Sequence, residues 1–173
     1  MLTAGLGCFD MRKYIFSSLV MLSVASFAYS QTEYSTYDND RFHFSIEYPS
    51  DLLKMQAAPA NNDGRTIRSK DRMVEMWAWG QFNALDLSLT DAYKQAVSNR
   101  RGVTYKMLGD RSFVISGEST DKIFYRKTQM RGSGDTAVFY TFTMEYPKSQ
   151  KEKFDPIITR ILRSFKFDPN AEP

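Results

Sequence analysis

Residues 137–165 read AVFYTFTMEYPKSQKEKFDPIITRILRSF, and the period of their apolar side chains changes part-way along. Before Pro147, the residues Val138, Tyr140, Phe142, Met144 and Tyr146 recur at every second position, which puts them on one face of a strand. After it, Phe154, Ile157, Ile158, Ile161, Leu162 and Phe165 recur at every third or fourth, the buried stripe of an amphipathic helix, with Arg160, Arg163 and Lys166 mostly outside it. Asp155 in the capping position and Pro156 at the first helical position predict that the main helix starts there, with room for an extra turn over 149–153. A strand and a terminal helix that must each bury one face predict an α+β domain.

Working back from this stretch, strands are expected over 103–108, 112–116 and 122–130. Gly109-Asp110, the turn residues of 117–121 and Gly132-Ser133-Gly134-Asp135 join them to one another and to the strand at 137–146. Connections this short make an antiparallel meander. Upstream lies a helix. Ser88 followed by Asp91 resembles a capping box, Leu89, Ala92, Tyr93, Ala96 and Val97 form its stripe, Arg100 and Arg101 fall in its last turn, and Gly102 ends it. Further back, Asn61-Asn62-Asp63-Gly64 predicts a tight turn, with strands over 54–58, 65–69 and 73–82. Met73, Val74, Met76, Trp77, Ala78 and Trp79 load both sides of the last of these, as in a central strand covered on each face. Phe42, Phe44, Ile46 and Tyr48 alternate with His43, Ser45 and Glu47 up to Pro49, and a short first strand covers 33–38. The whole is an antiparallel sheet of about seven strands flanked by helices. The two stripes allow the helices to cover opposite faces or to share one.

The first thirty residues read differently. Arg12 and Lys13 precede an apolar, small-residue run, and Ala28-Tyr29-Ser30 supplies small residues before a cut ahead of Gln31. This predicts a cleavable signal peptide behind an upstream extension (1–30) and a single domain over 31–173 in the periplasm or outside the cell, with Met11 the expected initiator and Met1 the alternative. The apolar run is short for a membrane span. Cys8, the sole cysteine, lies ahead of the signal, so the exported part would hold no disulfide, thiolate metal ligand or thiol nucleophile. Residues 122–166 carry 10 basic against 4 acidic side chains, whereas 31–121 carry 11 against 13. The excess is spread out rather than run together, which reads as a solvated face and not as a nucleic-acid site.

Catalytic chemistry is hard to assemble from these residues. His43 is the only histidine and cannot by itself make a zinc site. No serine occupies a Gly-x-Ser-x-Gly elbow, and Gly132-Ser133-Gly134 lacks the lysine and helix of a phosphate loop. Most carboxylates sit in turns or at helix starts, leaving Glu47, Glu75 and Glu145 on strands. No cofactor and no metal are expected, and the chain is expected not to be an enzyme. The binding candidates are Trp77 and Trp79, which share one face of a strand, Tyr105, and Glu75, a carboxylate beside Met76 and Trp77. The tryptophans are expected to be buried and packed beneath a helix; exposed together, they would instead make an interface anchor or a sugar platform.

Several short motifs resemble one family. They are Y-D-N-D-R-F (37–42), F-S-I-E-Y-P (44–49), V-T-Y-K (103–106), F-V-I-S-G (113–117), I-F-Y-R-K (123–127), E-Y-P (145–147) and F-D-P-I (154–157). In this order they resemble the PsbP-like superfamily, which takes in DcrB-like bacterial proteins and a Ran-binding import factor, and specifically its uncharacterised bacterial exported members. The resemblance implies an α/β/α sandwich and a role in binding other proteins, with no shared active site to carry over. The combined expectation is a non-enzymatic exported binding protein with an unidentified protein partner in the cell envelope, of the immunity or inhibitor type or an envelope accessory protein. The alternative is a small-molecule carrier or envelope-stress factor with an aromatic pocket between sheet and helix, involving Trp77, Trp79 or Tyr105.

Overall fold

The computed structural model describes residues 32–168, 170 and 171. The chain divides into the units Met1–Ser30 and Gln31–Pro173, and the second carries all the described structure. The expected signal segment, Cys8 and much of the C-terminal tail lie outside the described residues.

Two sheets form. The larger has seven strands in the order β3-β4-β5-β9-β8-β7-β6, every neighbouring pair antiparallel. Its members are β3 (Lys54–Met55), β4 (Gly64–Arg68), β5 (Glu75–Phe82), β6 (Val103–Leu108), β7 (Ser112–Glu118), β8 (Lys122–Arg131) and β9 (Val138–Pro147). The smaller sheet sets β2 (Phe44–Pro49) between β1 (Tyr34–Asn39) and β10 (Lys166–Phe167). Helix α1 (Leu89–Ser98) joins β5 to β6, and α2 (Lys151–Ser164) follows β9. The architecture is the α+β sandwich read from the sequence.

The two faces of the large sheet are closed to different extents. On one, Val138, Tyr140, Phe142, Met144 and Tyr146 of β9 pack with Phe44 and Ile46 of β2 and with Phe154, Ile157, Ile158 and Ile161 of α2. The small sheet and α2 therefore cover this face together, and the aromatic rings meet edge-on: Phe44 lies 5.7, 6.1 and 5.8 Å from Tyr37, Tyr140 and Phe165. On the other face α1 packs against β6 and β7, where Ala96 joins Phe113 and Ile115 in a smaller apolar cluster. The helices thus take opposite faces, the choice that the stripes left open.

Four local expectations need correction. Helix α2 begins at Lys151, after a 3-10 turn over Lys148–Gln150, so Pro156 lies inside it. Burial of Phe154 in the main core holds the extra turn, at the loss of the bond that a residue 156 N–H would make. Helix α1 ends at Ser98 with Asn99 as its cap, leaving Arg100 and Arg101 beyond it, and Gly102 takes a positive φ of 76° in the link to β6. In the 61–64 turn the positive φ belongs to Asn62 (50°), whereas Gly64 opens β4, where a Cβ would come within 2.3 Å of the Ala78 carbonyl oxygen. His43 precedes β2 in a turn, at φ 51°, rather than lying on the strand. Strand β10 was not expected at all: two residues past α2 carry too little pattern to be read.

Candidate functional site

Antiparallel pairing puts residues that stand opposite one another on a common face. Trp77, Thr143, Arg126 and Ile115 consequently form one row across β5, β9, β8 and β7. Glu75, Glu145, Phe124 and Gly117 form the row on one side of it, and Trp79, Thr141, Thr128 and Phe113 the row on the other. All three rows lie on the α1 face, because Ile115 and Phe113 are the residues that α1 covers. Strands stand about 4.8 Å apart, so Trp77 is roughly 10 Å from Arg126 with only Thr143 between.

Trp77 and Trp79 are both half-buried. Among the described residues no helix lies over them, since the strands that α1 packs against are at the other end of the sheet. The expectation that they are packed beneath a helix therefore gives way to a partly open aromatic pair. The Trp79 indole nitrogen donates to Gln81 Oε1 at 3.1 Å. Beside the pair is a hollow of about 350 Å³ that also touches Pro59, Arg65 and Thr66. Gly64 stands opposite Trp79 and contributes no side chain to it.

Glu75, the odd carboxylate of β5, is directly opposite Glu145. Two like charges in that relation repel, and each is met by an arginine. Arg68 reaches Glu75 at 3.5 Å, and Arg100 reaches Glu145 at 2.6 Å while its guanidinium carbon lies 4.3 Å from the centre of the Phe124 ring. Two facing glutamates flanked by arginines, in the order Arg68, Glu75, Glu145 and Arg100, therefore form a charge-balanced row along the edge of the tryptophan surface.

Arg126 is the residue that sequence reasoning missed. It is half-buried, its Nε donates to Thr128 Oγ1 at 3.1 Å, and Thr128 in turn shares a 3.0 Å hydrogen bond with Thr141. Its guanidinium carbon lies 5.6 Å from the centre of the Phe113 ring. Burial pulls its pKa below the ordinary arginine value, since no carboxylate among the described residues pairs with it. Arg126 faces a hollow of about 230 Å³ between the end of α1 and strands β7, β8 and β9. Alternation carried the signal, because 126 has the same parity as the buried Phe124 and Thr128.

Tyr105 is elsewhere. It lies on the edge strand β6, 52 % exposed, opposite Ser116 and hence in line with Tyr125 on the α2 face. The structure thus brings together Trp77, Trp79 and Glu75 and leaves Tyr105 on the other side of the sheet. Among the described residues no group of three or more His, Cys, Asp or Glu side chains is placed to hold a metal ion, and no helix is long and apolar enough to cross a membrane.

Solved structures share this architecture. Cyanobacterial PsbP (CyanoP) from Synechocystis sp. PCC 6803 matches 82% of this chain and 96% of its own, with a TM-score of 0.59 at 10% sequence identity. The fold is PsbP-like. The Ran-binding protein Mog1p of Saccharomyces cerevisiae matches 79% of this chain and 96% of its own at 8% identity, TM-score 0.48. LpqN of Mycobacterium tuberculosis, involved in cell envelope biogenesis, matches 82% and 88% at 9% identity, TM-score 0.40. At such identities the PsbP-like likeness is one of fold alone. No family model matches the chain, and no curated protein matches it by sequence.

Proposed function

We propose that this protein is a non-enzymatic binding module acting outside the cytoplasm, and that its partner is a protein docking on the open part of the α1 face. The observation that carries this reading is the half-buried pair Trp77 and Trp79, side by side on a sheet surface that no helix covers among the described residues. Tryptophan and arginine are the residues most enriched at interface anchor points, and here Arg68 and Arg126 on the sheet and Arg100 just past α1 lie on the same face as the pair. A carrier would instead enclose its ligand in an apolar pocket, whereas the hollow beside the tryptophans is walled partly by the exposed Ala57, Ala58 and Pro59 and by the polar Asp63, Arg65 and Thr66. The main core is filled, with side chains such as Ile46, Met76, Phe142 and Ile161 wholly buried. The support for export is the basic and apolar pattern of residues 12–30, and the mass of the purified protein, starting at about Gln31, checks it.

The test is affinity capture from envelope extract with the C-terminally tagged protein and its Trp77→Ala/Trp79→Ala variant. The wild type should retain one stoichiometric protein, and the variant should lose it while unfolding at nearly the same temperature. Acrylamide should also quench both indoles of the free protein, and partner binding should protect them. Equal capture by the variant rules out this face. A small molecule released on denaturation, with no protein retained, replaces the module by a carrier.

A further inference from the structure

We infer that the hollow between the end of α1 and strands β7, β8 and β9 is a carboxylate subsite, in which Arg126 receives an acidic side chain of the docked partner. The inference rests on the docking reading above and adds the chemistry of the group recognised.

The first ground is charge. Ala96, Asn99 and Arg100 line the hollow from the helix side, and Ile115, Arg126 and Glu145 from the sheet. Two arginines and one glutamate leave the lining with an excess of one positive charge. Glu145 is already held by Arg100 at 2.6 Å, so it is not the missing partner of Arg126. A single carboxylate, carrying one negative charge, balances the hollow; a phosphate dianion overshoots it.

The second ground is preorganisation. One edge of the Arg126 guanidinium is fixed by its Nε bond to Thr128, and Phe113 lies beside the group. The terminal amino groups have no acceptor among the described residues. A planar, oriented fork of this kind matches a carboxylate through two parallel hydrogen bonds, and little side-chain freedom remains to be lost on binding.

The third ground is size. At about 230 Å³ the hollow falls below the roughly 300 Å³ at which pockets begin to take whole small ligands. It suits the end of one side chain. Trp77, two strands away, offers an adjacent apolar surface on which the rest of the partner segment rests.

The probe is a capped glutamate, N-acetyl-glutamic acid N-methylamide, titrated into the labelled protein and followed by the Arg126 Nε–H and the Thr143 and Ala96 amide resonances. A saturable shift of weak affinity is expected, with capped glutamine giving none. At Thr143 and Ala96 the shift should weaken by about tenfold or more in Arg126→Lys, which keeps the charge but not the fork, and vanish in Arg126→Gln. Equal shifts from both capped residues, tighter binding of inorganic phosphate, or an unchanged response in Arg126→Gln overturns the subsite. The capture assay separates the two readings. A partner lost from Arg126→Gln but regained in part by Arg126→Lys supports the subsite. A partner held equally by wild type and Arg126→Gln removes the subsite and leaves the docking face in place. A capped-glutamate response with no protein captured removes the docked partner.

Discussion

Replacing Arg100 by Gln should cost more when Glu75 is present than when it is not. Glu75 and Glu145 stand directly opposite each other, so strand geometry puts their Cβ atoms roughly 5.5 Å apart and sets that as the scale of the charge separation. Coulomb's law at that separation gives about 0.8 kcal/mol in water and about 3 kcal/mol at an effective dielectric constant of 20. Both side chains are 24% exposed, which favours the lower part of that span, near 1 kcal/mol. Arg100 is 40% exposed, so its own pairing with Glu145 is worth only about 0.5–1 kcal/mol after screening. The repulsion is present with or without Arg100; what Arg100→Gln removes in the wild type is the pairing with Glu145 together with the longer-range attraction of Arg100 for Glu75, which offsets that repulsion. At roughly 8 Å this attraction is worth about 0.5–1 kcal/mol at the higher dielectric values that apply here, so the loss is about 1–2 kcal/mol. In a Glu75→Gln background only the pairing is lost. The difference between the two losses, about 0.5–1 kcal/mol, is a coupling between residues that do not touch. Packing of Arg100 on Phe124 is lost in both backgrounds and cancels. Urea denaturation of the four proteins at neutral pH and low salt measures the coupling, and high salt should shrink it. Losses equal within about 0.3 kcal/mol would refute the register that aligns Glu75 with Glu145, and with it the placement of Trp77 and Arg126 in one row.

Two further outcomes test the packed face. Gly80 gives its space to Phe42: a Cβ there would sit 2.4 Å from the Phe42 ring, so Gly80→Ala should cost about 1–3 kcal/mol, and Phe42→Leu should recover part of it; an unchanged urea midpoint would contradict the packing. The Tyr146 hydroxyl donates to Asp155 at 3.2 Å, and burial first, then the Asp155 charge, pushes its pKa above the usual tyrosine value of about 10. The folded state thus keeps a proton that the unfolded state releases, so this stability is complete below pH ~10 and falls as pH rises further, by up to about 1.4 kcal/mol per pH unit. Urea midpoints taken on both sides of that pH should show the decline, and Tyr146→Phe should make it shallower; an identical slope in the variant would assign the decline to other groups.

The elements that the sequence revealed were those with enough repeats of one period. Strand β9 shows five alternating apolar residues and α2 a stripe of six, and both stand where they were read, apart from the extra turn of α2. The second sheet was hidden for the opposite reason. Strand β10 has two residues, Lys166 and Phe167, and pairs with β2 only because α2 delivers it there. A tertiary event of this kind leaves no local pattern. The site divides in the same way. Trp77, Trp79 and Glu75 stood out by residue type. Arg100 looked like a helix-ending charge, and its pairing with Glu145, 45 positions away in the chain, depends on where α1 ends on the sheet. Arg126 was legible in principle, since its parity sets it with Phe124 and Thr128, but a single arginine in a basic half of the chain draws no notice until its neighbours are known.

The openness of the tryptophan face follows from the dimensions of the elements. Seven strands about 4.8 Å apart make a sheet roughly 29 Å across, whereas one helix with its side chains is about 10–12 Å wide. Helix α1, with 10 residues, is about 15 Å long and covers β6, β7 and the margin of β8. The opposite face escapes this limit because a three-stranded sheet and a 14-residue helix lie over it together. An uncovered strip over β5 and β9 on the α1 side is therefore built into the topology of the described residues. What geometry does not require is the content of that strip. Threonine or a charged residue would serve at positions 77 and 79 at less exposed apolar area, as Thr143 does on the neighbouring strand. Two indoles, a balanced row of charges and an arginine without a carboxylate partner among the described residues are the features on which the proposal of a contact surface rests.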